Sequence, residues 1–486
     1  MKISRRCSFA NQSAYDVTEC TKALIPERRR RKYYCLHFTM VHTWPYFDPD
    51  YENLSKYMNP PRVCIDNSSC NECTLVKVDS VNKPGILLEV VQVLSDLDLA
   101  ISKAYITSDG LWFMDVFHVT DQQGGKITDT KTIEHIEKAL GPDGDILDIK
   151  GSTWSGKAVG MHSIGDYNII ELIGTDGPGL LSEIFAVLAN LHFNVLVAEV
   201  WTHNMRVACV FYVNDEATSQ AVSDLNQLSI MEQQLNNLLR ARGDDVRGAR
   251  TNFGMSSIHL GRRLHQLMFA NKDYESDGKQ EEKSKTAIKP VITIDRCEDK
   301  GYSVVNIRCK DRSKLLFDIV CTLTDLQFVV FHASVSSDDL YATQELYIRH
   351  KDGCMLDTRE GKEMVKCLEA AILRRVTEGF SLEICGRDRV GLLSDVTRIL
   401  REQGLSVTRA ELTTIGEQAM NVFYVRDASG NPVEMKMVEA LRREIGQTVM
   451  LNVKRVPSSV KPPKSSGLSK TSFSFGSFLG RFLHST

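Results

Sequence analysis

The chain has 486 residues, 42% apolar and 25% charged, with a formal net charge of −3. That length exceeds what one compact core fills, so several domains of ordinary globular composition are expected. The near-neutral charge excludes a global attraction to nucleic acid or an anionic membrane, and no apolar run approaches the roughly 20 residues of a membrane span.

Residues 1–59 read as an N-terminal extension, partly disordered. Arg5, Arg6 and Cys7 precede no sustained apolar core, so no secretory signal is recognised. "ERRRRKYYC" (27–35) carries five basic residues in a row, Arg28 to Lys32, a candidate nuclear-targeting or anion-binding patch. Such short runs are also frequent by chance. The expected location is the cytoplasm, with the nucleus as the alternative. Thirteen scattered cysteines suit reduced thiols. Cys70 and Cys73 form a lone C-x-x-C. A zinc site would need a second ligand pair at suitable spacing, none is evident, and an incidental pair is the favoured reading. No metal and no cofactor is expected.

From residue 60 one pattern repeats four times. The first copy (60–150) begins with the leader "PPRVCID" (60–66), whose prolines sit at the start of a short strand where a missing donor costs least. "TLVKVDS", "ILLEVVQVLSDL", "LAISKAYITS", "LWFMDVFHVT" and "DTKTIEHIEKAL" follow as strand, helix, strand, strand, helix. The second copy (166–242) is clearest. "NIIELIGT" (168–175) is a buried strand, and "LLSEIFAVLANL" (180–191) puts Leu180, Ile184, Val187, Leu188 and Leu191 on one helical stripe. "FNVLVAEVWTH" and "RVACVFYVND" make a hairpin, and "LNQLSIMEQQLNNLLR" a second amphipathic helix.

A linker covers 243–288. Within it "SIHLGRRLHQLMF" (257–269) is a candidate docking helix whose Arg262, Arg263 and His265 read as a solvated face. Residues 271–288 read as flexible. The third copy (289–377) has its own leader, "KPVITID" (289–295), and the fourth spans 379–456. The tail, 457–486, starts as a Pro/Ser/Lys linker and ends with Phe473, Phe475, Phe478, Leu479, Phe482 and Leu483, an apolar end suited to docking on the repeats or a partner.

A fourth strand completes each copy as a ferredoxin-like βαββαβ unit. The fold class is therefore α+β, four tandem units with antiparallel sheets and both helices on one face. Little chain separates copies three and four, so 291–296 is expected to fill the edge position of copy three. The leaders group the copies into halves, 60–240 and 289–455. Each half is expected to pair its own two units, because open sheet edges are a liability.

The strand-to-helix turns carry the chemistry: "VNKPGILLEV" (81–90), "TDGPGLLSEI" (175–184), "KDRSKLLFDI" (310–319) and "RDRVGLLSDV" (387–396). Asn82, Asp176, Asp311 and Asp388 lie three residues before Gly85, Gly179, Lys314 and Gly391. Glu89, Glu183, Asp318 and Asp395 follow four residues after that point, in the first helical turn where the macrodipole favours acids. These acids belong to separate copies and form no catalytic set. No nucleophile–base pair is evident, so no enzyme is expected. The leucine pairs after the turns read as core, and Trp112, Trp201 and His203 as packing.

A strand, a D-x-x-G-L-L turn and an amphipathic helix in a frame of roughly 70 residues resemble the ACT domain. Four in tandem, with "MNPPRVCIDN", "TLVKVDSVNKPGILLEVVQVL", "WFMDVFHVTDQ" and "VWTHN", resemble the plant ACT-domain-repeat proteins over about residues 42–455. The repeats are also similar to those ending the bacterial uridylyltransferase nitrogen sensors, whose nucleotidyltransferase and HD phosphohydrolase domains have no recognisable counterpart here. The resemblance implies amino-acid and nitrogen sensing, with ligands bound where paired units meet. Family members usually begin near the equivalent of Met40, so Met40 is the expected native start.

The residues themselves suit such a ligand. Glycine at the junction adopts positive φ freely and lets a ligand approach the backbone. The helix N-terminus offers unpaired N–H groups to a carboxylate, and an acid three residues earlier can accept from an ammonium group. Asp176, Gly177, Gly179 and Leu180, with Asp388, Val390, Gly391 and Leu392, are the leading ligand-binding candidates. Asn82 and Gly85 form a weaker site lacking the charge, and Lys314 would crowd the third. Helix capping by the acid and turn-making by the glycine stand beside this reading. The expected function is a non-catalytic amino-acid-binding regulator, a glutamine-like ligand among the candidates, with a protein partner or homo-oligomer and no direct nucleic-acid contact. The alternative is an ACT-fold interaction scaffold acting through protein partners without a ligand.

Overall fold

The computed structural model describes residues 61–141 except 84 and 109–111, 159–241 except 165–166, 259–275, 289–427 except 339, 355 and 377–379, 435–445, and 450–455. All belong to one compact unit, Asn53–Thr486. The basic run 28–32, the linker stretch 276–288 and the aromatic tail lie outside the described residues.

Unit one comprises β1 (Arg62–Asp66), β2 (Thr74–Val81), α1 (Ile86–Asp96), β3 (Ala100–Ser108), β4 (Trp112–Thr120) and α2 (Thr130–Leu140). Unit two has β5 (Val159–Ile164), β6 (Tyr167–Thr175), α3 (Leu180–Asn190), β7 (Phe193–His203), β8 (Arg206–Asp215) and α4 (Leu225–Arg240). After α5 (Leu260–Ala270), unit three has β9 (Val291–Cys297), β10 (Tyr302–Lys310), α6 (Leu315–Asp325), β11 (Phe328–Ser337), β12 (Tyr341–His350) and α7 (Thr358–Arg374). Unit four has β13 (Phe380–Arg387), α8 (Leu392–Glu402), β14 (Leu405–Ile415), β15 (Gln418–Asp427), α9 (Met435–Ile445) and β16 (Met450–Arg455).

Alternation along the strands sets the faces. In β4, Phe113, Phe117 and Val119 enter the core while His118 points to the opposite face. The fourth strand reaches its edge place by two routes. β1, β5 and β9 precede the strands they flank, β2, β6 and β10, whereas β16 follows and flanks β13. Among the described residues unit four has its fourth strand after its second helix, the βαββαβ order, while in unit three the leader fills the edge as expected and in units one and two β1 and β5 do the same. An antiparallel edge can be supplied from either end of the chain, because no crossover connection is needed.

The units pair, but not within the expected halves. One eight-stranded sheet runs β1-β2-β4-β3-β11-β12-β10-β9 and joins units one and three. The other runs β16-β13-β15-β14-β7-β8-β6-β5 and joins units four and two. At the seams Ala104 opposes Val335 and Ile106 opposes Ala333, while Ala198 opposes Leu412 and Val200 opposes Ala410. All four inner strands place an alanine just after a bulge, so small meets large at either seam. Each pair encloses one continuous core under its helices. Burying each Leu or Phe there contributes about 1.5–3 kcal/mol.

The two pairs are stacked through the linker helix. Ile169, Ile173, Trp201, Ala208, Val210 and Tyr212, on the face of the second sheet away from its own helices, pack on Leu264, Leu267 and Met268 of α5. Helix α5 in turn touches α6, and α7 touches β7. The basic residues of α5 are therefore not a solvated face. Arg263 makes a bidentate pair with buried Glu171 at 2.6 and 2.7 Å. His265 Nδ1 lies 2.8 Å from Arg374 Nη1, which can only donate, so His265 Nε2 carries the proton and donates to Asp318 at 2.7 Å. Burial pushes this imidazole down to about 4, with Arg374 and Arg375 helping and Asp318 opposing. Asp273, fully buried, takes both arms of Arg374 at 2.6 Å. That fastening orders 271–275, the start of the stretch expected to be flexible.

Candidate functional site

All four strand-to-helix turns share one backbone form. Gly85, Gly179, Lys314 and Gly391 stand at the N-cap in the left-handed region, with φ of 91, 80, 61 and 82°. None of the four helices has a side-chain cap. Capping acids are found instead on second helices: Asp129, Asp224 and Asp357 accept from the first turns of α2, α4 and α7. The acids ahead of the turns have another attachment. The backbone N–H groups of Asp176, Asp311 and Asp388 donate to Met205, Leu340 and Glu417, in the hairpin between the two middle strands. Asp388 Oδ2 accepts from Thr414 Oγ1 at 3.2 Å, and Asp311 accepts from Ser337 Oγ. Burial raises the Asp388 pKa, partly offset by Thr414 and the Arg389 N–H.

The unit-two turn lies where unit four can reach it. Helix α3 of unit two packs on α8 of unit four, and Arg401 in the last turn of α8 lies over the unit-two turn. A Cβ on Gly179 would stand 2.7 Å from Arg401 Cδ and 3.4 Å from Nη1. Leu180 and Leu392 are buried, so their side chains belong to the core and only their backbones are available to a ligand. Gly177 is half-buried beside Gly179, and Val390 occupies the equivalent of Pro178. Gly391 and Gly85 have open space where a side chain would project, the nearest atom to the former being Arg389 Nη1 at 3.8 Å. The turns sit on two different sheets, so Asn82 and Gly85 join neither Asp176 nor Asp388.

One ionic feature of the turns was missed in the sequence. In three units the residue two before the turn centre is basic and pairs with the acid four after it: Lys83 with Glu89 at 2.7 Å, Arg312 with Asp318 at 2.7 Å, and Arg389 with Asp395 at 2.5 Å. In unit two that position is Gly177. The spacing of six was legible once the copies were aligned. The cross-unit partners Arg401 and Asp98 were not. Lys314 Nζ lies 3.5 Å from Asp98, just beyond α1 of unit one. The third turn is thus filled by two cations of the chain itself.

Trp201 is packing, as expected: it is fully buried, with Arg375 4.4 Å over its ring. No helix among the described residues is long and apolar enough to cross a membrane.

Comparison with known proteins agrees with the repeat. The family described as "ACR family N-terminal ACT domain" matches residues 69–145, the ACT domain matches 168–229 and 380–443, and the "ACR9-like, ACT-like domain" matches 291–378. The chain is 62% identical over 448 residues to ACT domain-containing protein ACR3 of Arabidopsis thaliana, covering 90% of this chain and 99% of that one. It is 49% identical over 438 residues to ACR4 of the same plant, covering 88% and 94%. A bifunctional uridylyltransferase/uridylyl-removing enzyme of Gluconobacter oxydans (strain 621H) is 37% identical over 97 residues, covering 19% of this chain and 10% of that one. Four ACT units, two paired sheets and near full-length identity make this chain a member of the plant ACT-domain repeat family, ACR.

Proposed function

We propose that the protein is a regulator without catalytic activity of its own that binds a free amino acid at the turns of units two and four. The observation that carries this is the left-handed glycine turn of unit two lying under Arg401 of unit four. Units one, three and four place a lysine or arginine of the chain against the acid of the first helical turn. Unit two has Gly177 there, Gly179 at the centre and Asp176 alongside. A ligand ammonium is received by the Asp176 carboxylate beside this open backbone. Its carboxylate meets the N-terminus of α3 with Arg401 close by. Unit four keeps Asp388 and Gly391 and is the second site, its arginine arm exposed and able to swing aside.

Calorimetry of the full chain against all common amino acids, glutamine included, tests this. The expected result is binding at no more than two strong sites per chain. Four equivalent sites would overturn the division among units. No heat with any amino acid would favour the scaffold reading, which has its own support: among the described residues Tyr105 and Met114 are 51% and 56% exposed on the face of the first sheet away from its helices.

A further inference from the structure

The C-x-x-C pair, isolated in the sequence, gains a third donor from a distant strand. Cys73 Sγ lies 3.2 Å from Cys70 Sγ and 3.4 Å from His118 Nδ1. The donor atoms of all three residues lie within 4.8 Å of one another. Cys73 precedes β2 by one residue, on the same face as Leu75, whose partner across β2–β4 is His118. The thiols therefore project to the face of the first sheet away from its helices, where Cys73 is buried and Cys70 and His118 are half-buried.

The loop that carries them is held in place. Asn67 donates to Ile127 O at 2.9 Å and accepts from Thr74 Oγ1 at 2.6 Å, and Lys126 Nζ donates to Asn67 O at 2.9 Å.

We propose that Cys70, Cys73 and His118 form a zinc-binding site, with two thiolates, one imidazole nitrogen and a fourth position open to water or an outside donor. Two sulfurs and one ring nitrogen suit a borderline-soft ion and not Mg²⁺ or Ca²⁺. Tetrahedral Zn–S and Zn–N bonds would put the sulfurs about 3.8 Å apart and sulfur and nitrogen about 3.6 Å apart. The observed 3.2 and 3.4 Å need only small outward movements. A disulfide would need closure to about 2.05 Å. Binding forms two Zn–S bonds and one Zn–N bond and sends the thiol protons to solvent. The two thiolates balance the ion's charge, and no electron is transferred. Such an ion would clip the β1–β2 loop to β4 and offer its open position on the face away from the helices.

The test uses the full chain, stripped of metal and kept under a non-chelating reductant, then titrated with Zn²⁺ or with Co²⁺ as a spectroscopic reporter. Expected are about one ion per chain and a thiolate-to-cobalt charge-transfer band with the strong visible absorption of tetrahedral cobalt. Cys70→Ser and His118→Gln should each weaken binding at least about tenfold. Cys64→Ser, at an exposed cysteine on β1 outside the cluster, should leave it unchanged. Circular dichroism identifies a variant that fails to fold, and the other variant then decides. The proposal is overturned by absence of the band in the wild type, by a band that survives both substitutions, or by a Cys70–Cys73 disulfide persisting under reductant.

Discussion

The turn that opens α3 and the turn that opens α6 share a left-handed residue, φ 80° at Gly179 and 61° at Lys314, and little else. In unit three Lys314 reaches Asp98, and Arg312 joins Arg375 and His265 around a fully buried Asp318. Burial alone would push the Asp318 pKa up, but Arg375, Arg312 and His265 outweigh it and hold it well below the usual range. Unit two puts glycine at both basic positions. One fold thus yields a turn crowded by the chain's own basic side chains and a turn built of glycines. The pairing matters as much: each unit-to-unit seam joins chain segments more than two hundred residues apart.

The sharpest way to break this comparison is at the acids of the first helical turns. Asp318→Ala strands three buried cationic or donor groups and should cost about 3–5 kcal/mol in chemical denaturation. Glu183→Ala, on the half-buried unit-two turn, should stay within about 1 kcal/mol. Equal losses would mean the two turns are built alike after all.

Next come the glycines. Valine opposes positive φ and blocks the backbone approach, so Gly179→Val and Gly391→Val should each abolish ligand heat at their own site and cost roughly 1–3 kcal/mol of stability. The loss should be greater at Gly179, where the new Cβ meets Arg401. Retained stoichiometry in both variants would place the ligand elsewhere.

Asp176→Asn and Asp388→Asn remove charge but little volume. Each should weaken amino-acid affinity by about 1.5–3 kcal/mol, roughly tenfold or more. Since neither residue caps its helix, the melting temperature should barely move. Unchanged affinity in both would remove the acids from the site.

A pH experiment separates the two sheets. Asp115, Cys209, Gln344 and Asn421 occupy equivalent helix-facing places on β4, β8, β12 and β15. Only Asp115 is an acid. Burial pushes it up to about 8, opposed by one backbone N–H from Thr107. Its folded pKa lies above its unfolded value, so its contribution is complete at low pH and is lost as pH rises toward 8. Between about pH 5 and 7 this group should lower stability by about 1.4 kcal/mol per pH unit. Asp115→Asn, which copies unit four, should remove that slope. A slope unaltered by the substitution would show that Asp115 is ionised in the fold.

The smallest effect is expected at Lys314→Gly, which gives up a partly exposed ion pair but relieves a left-handed lysine, a net change within about 1 kcal/mol. No binding should be gained, because Arg312 still fills the turn. Appearance of a new site would show that Lys314 alone closes it.

Much of this was readable along the chain. The repeat, the element types and the turn glycines follow from period-two and period-3.6 patterns and from spacings within ten residues, such as Asp176 to Gly179. The leader 291–296 was placed at its edge from chain length alone, and β9 lies there. The leader of unit two, β5, was missed because the fourth strand was assumed to follow its second helix. Arg263 and His265 were read as solvent-facing because a basic helix is ordinarily so; Glu171 and Asp318, which draw them inward, lie 92 and 53 residues away.

Partner choice marks the limit. The sequence by itself determined four units of one fold, since each unit's hydrophobic periodicity and turn chemistry are local and need no partner to be satisfied. Which units pair was decided only in three dimensions. Ala104, Ala198, Ala333 and Ala410 stand at the same place on four inner strands, so every seam looks equally suitable to a one-dimensional reading. The choice came from burying α5 between the helices of units one and three and the free face of the second sheet. Arg263, His265 and Asp273 fasten it there. Cys70, Cys73 and His118 were gathered in the same way: sheet register, not sequence spacing, brings a histidine 45 residues away to a pair of thiols.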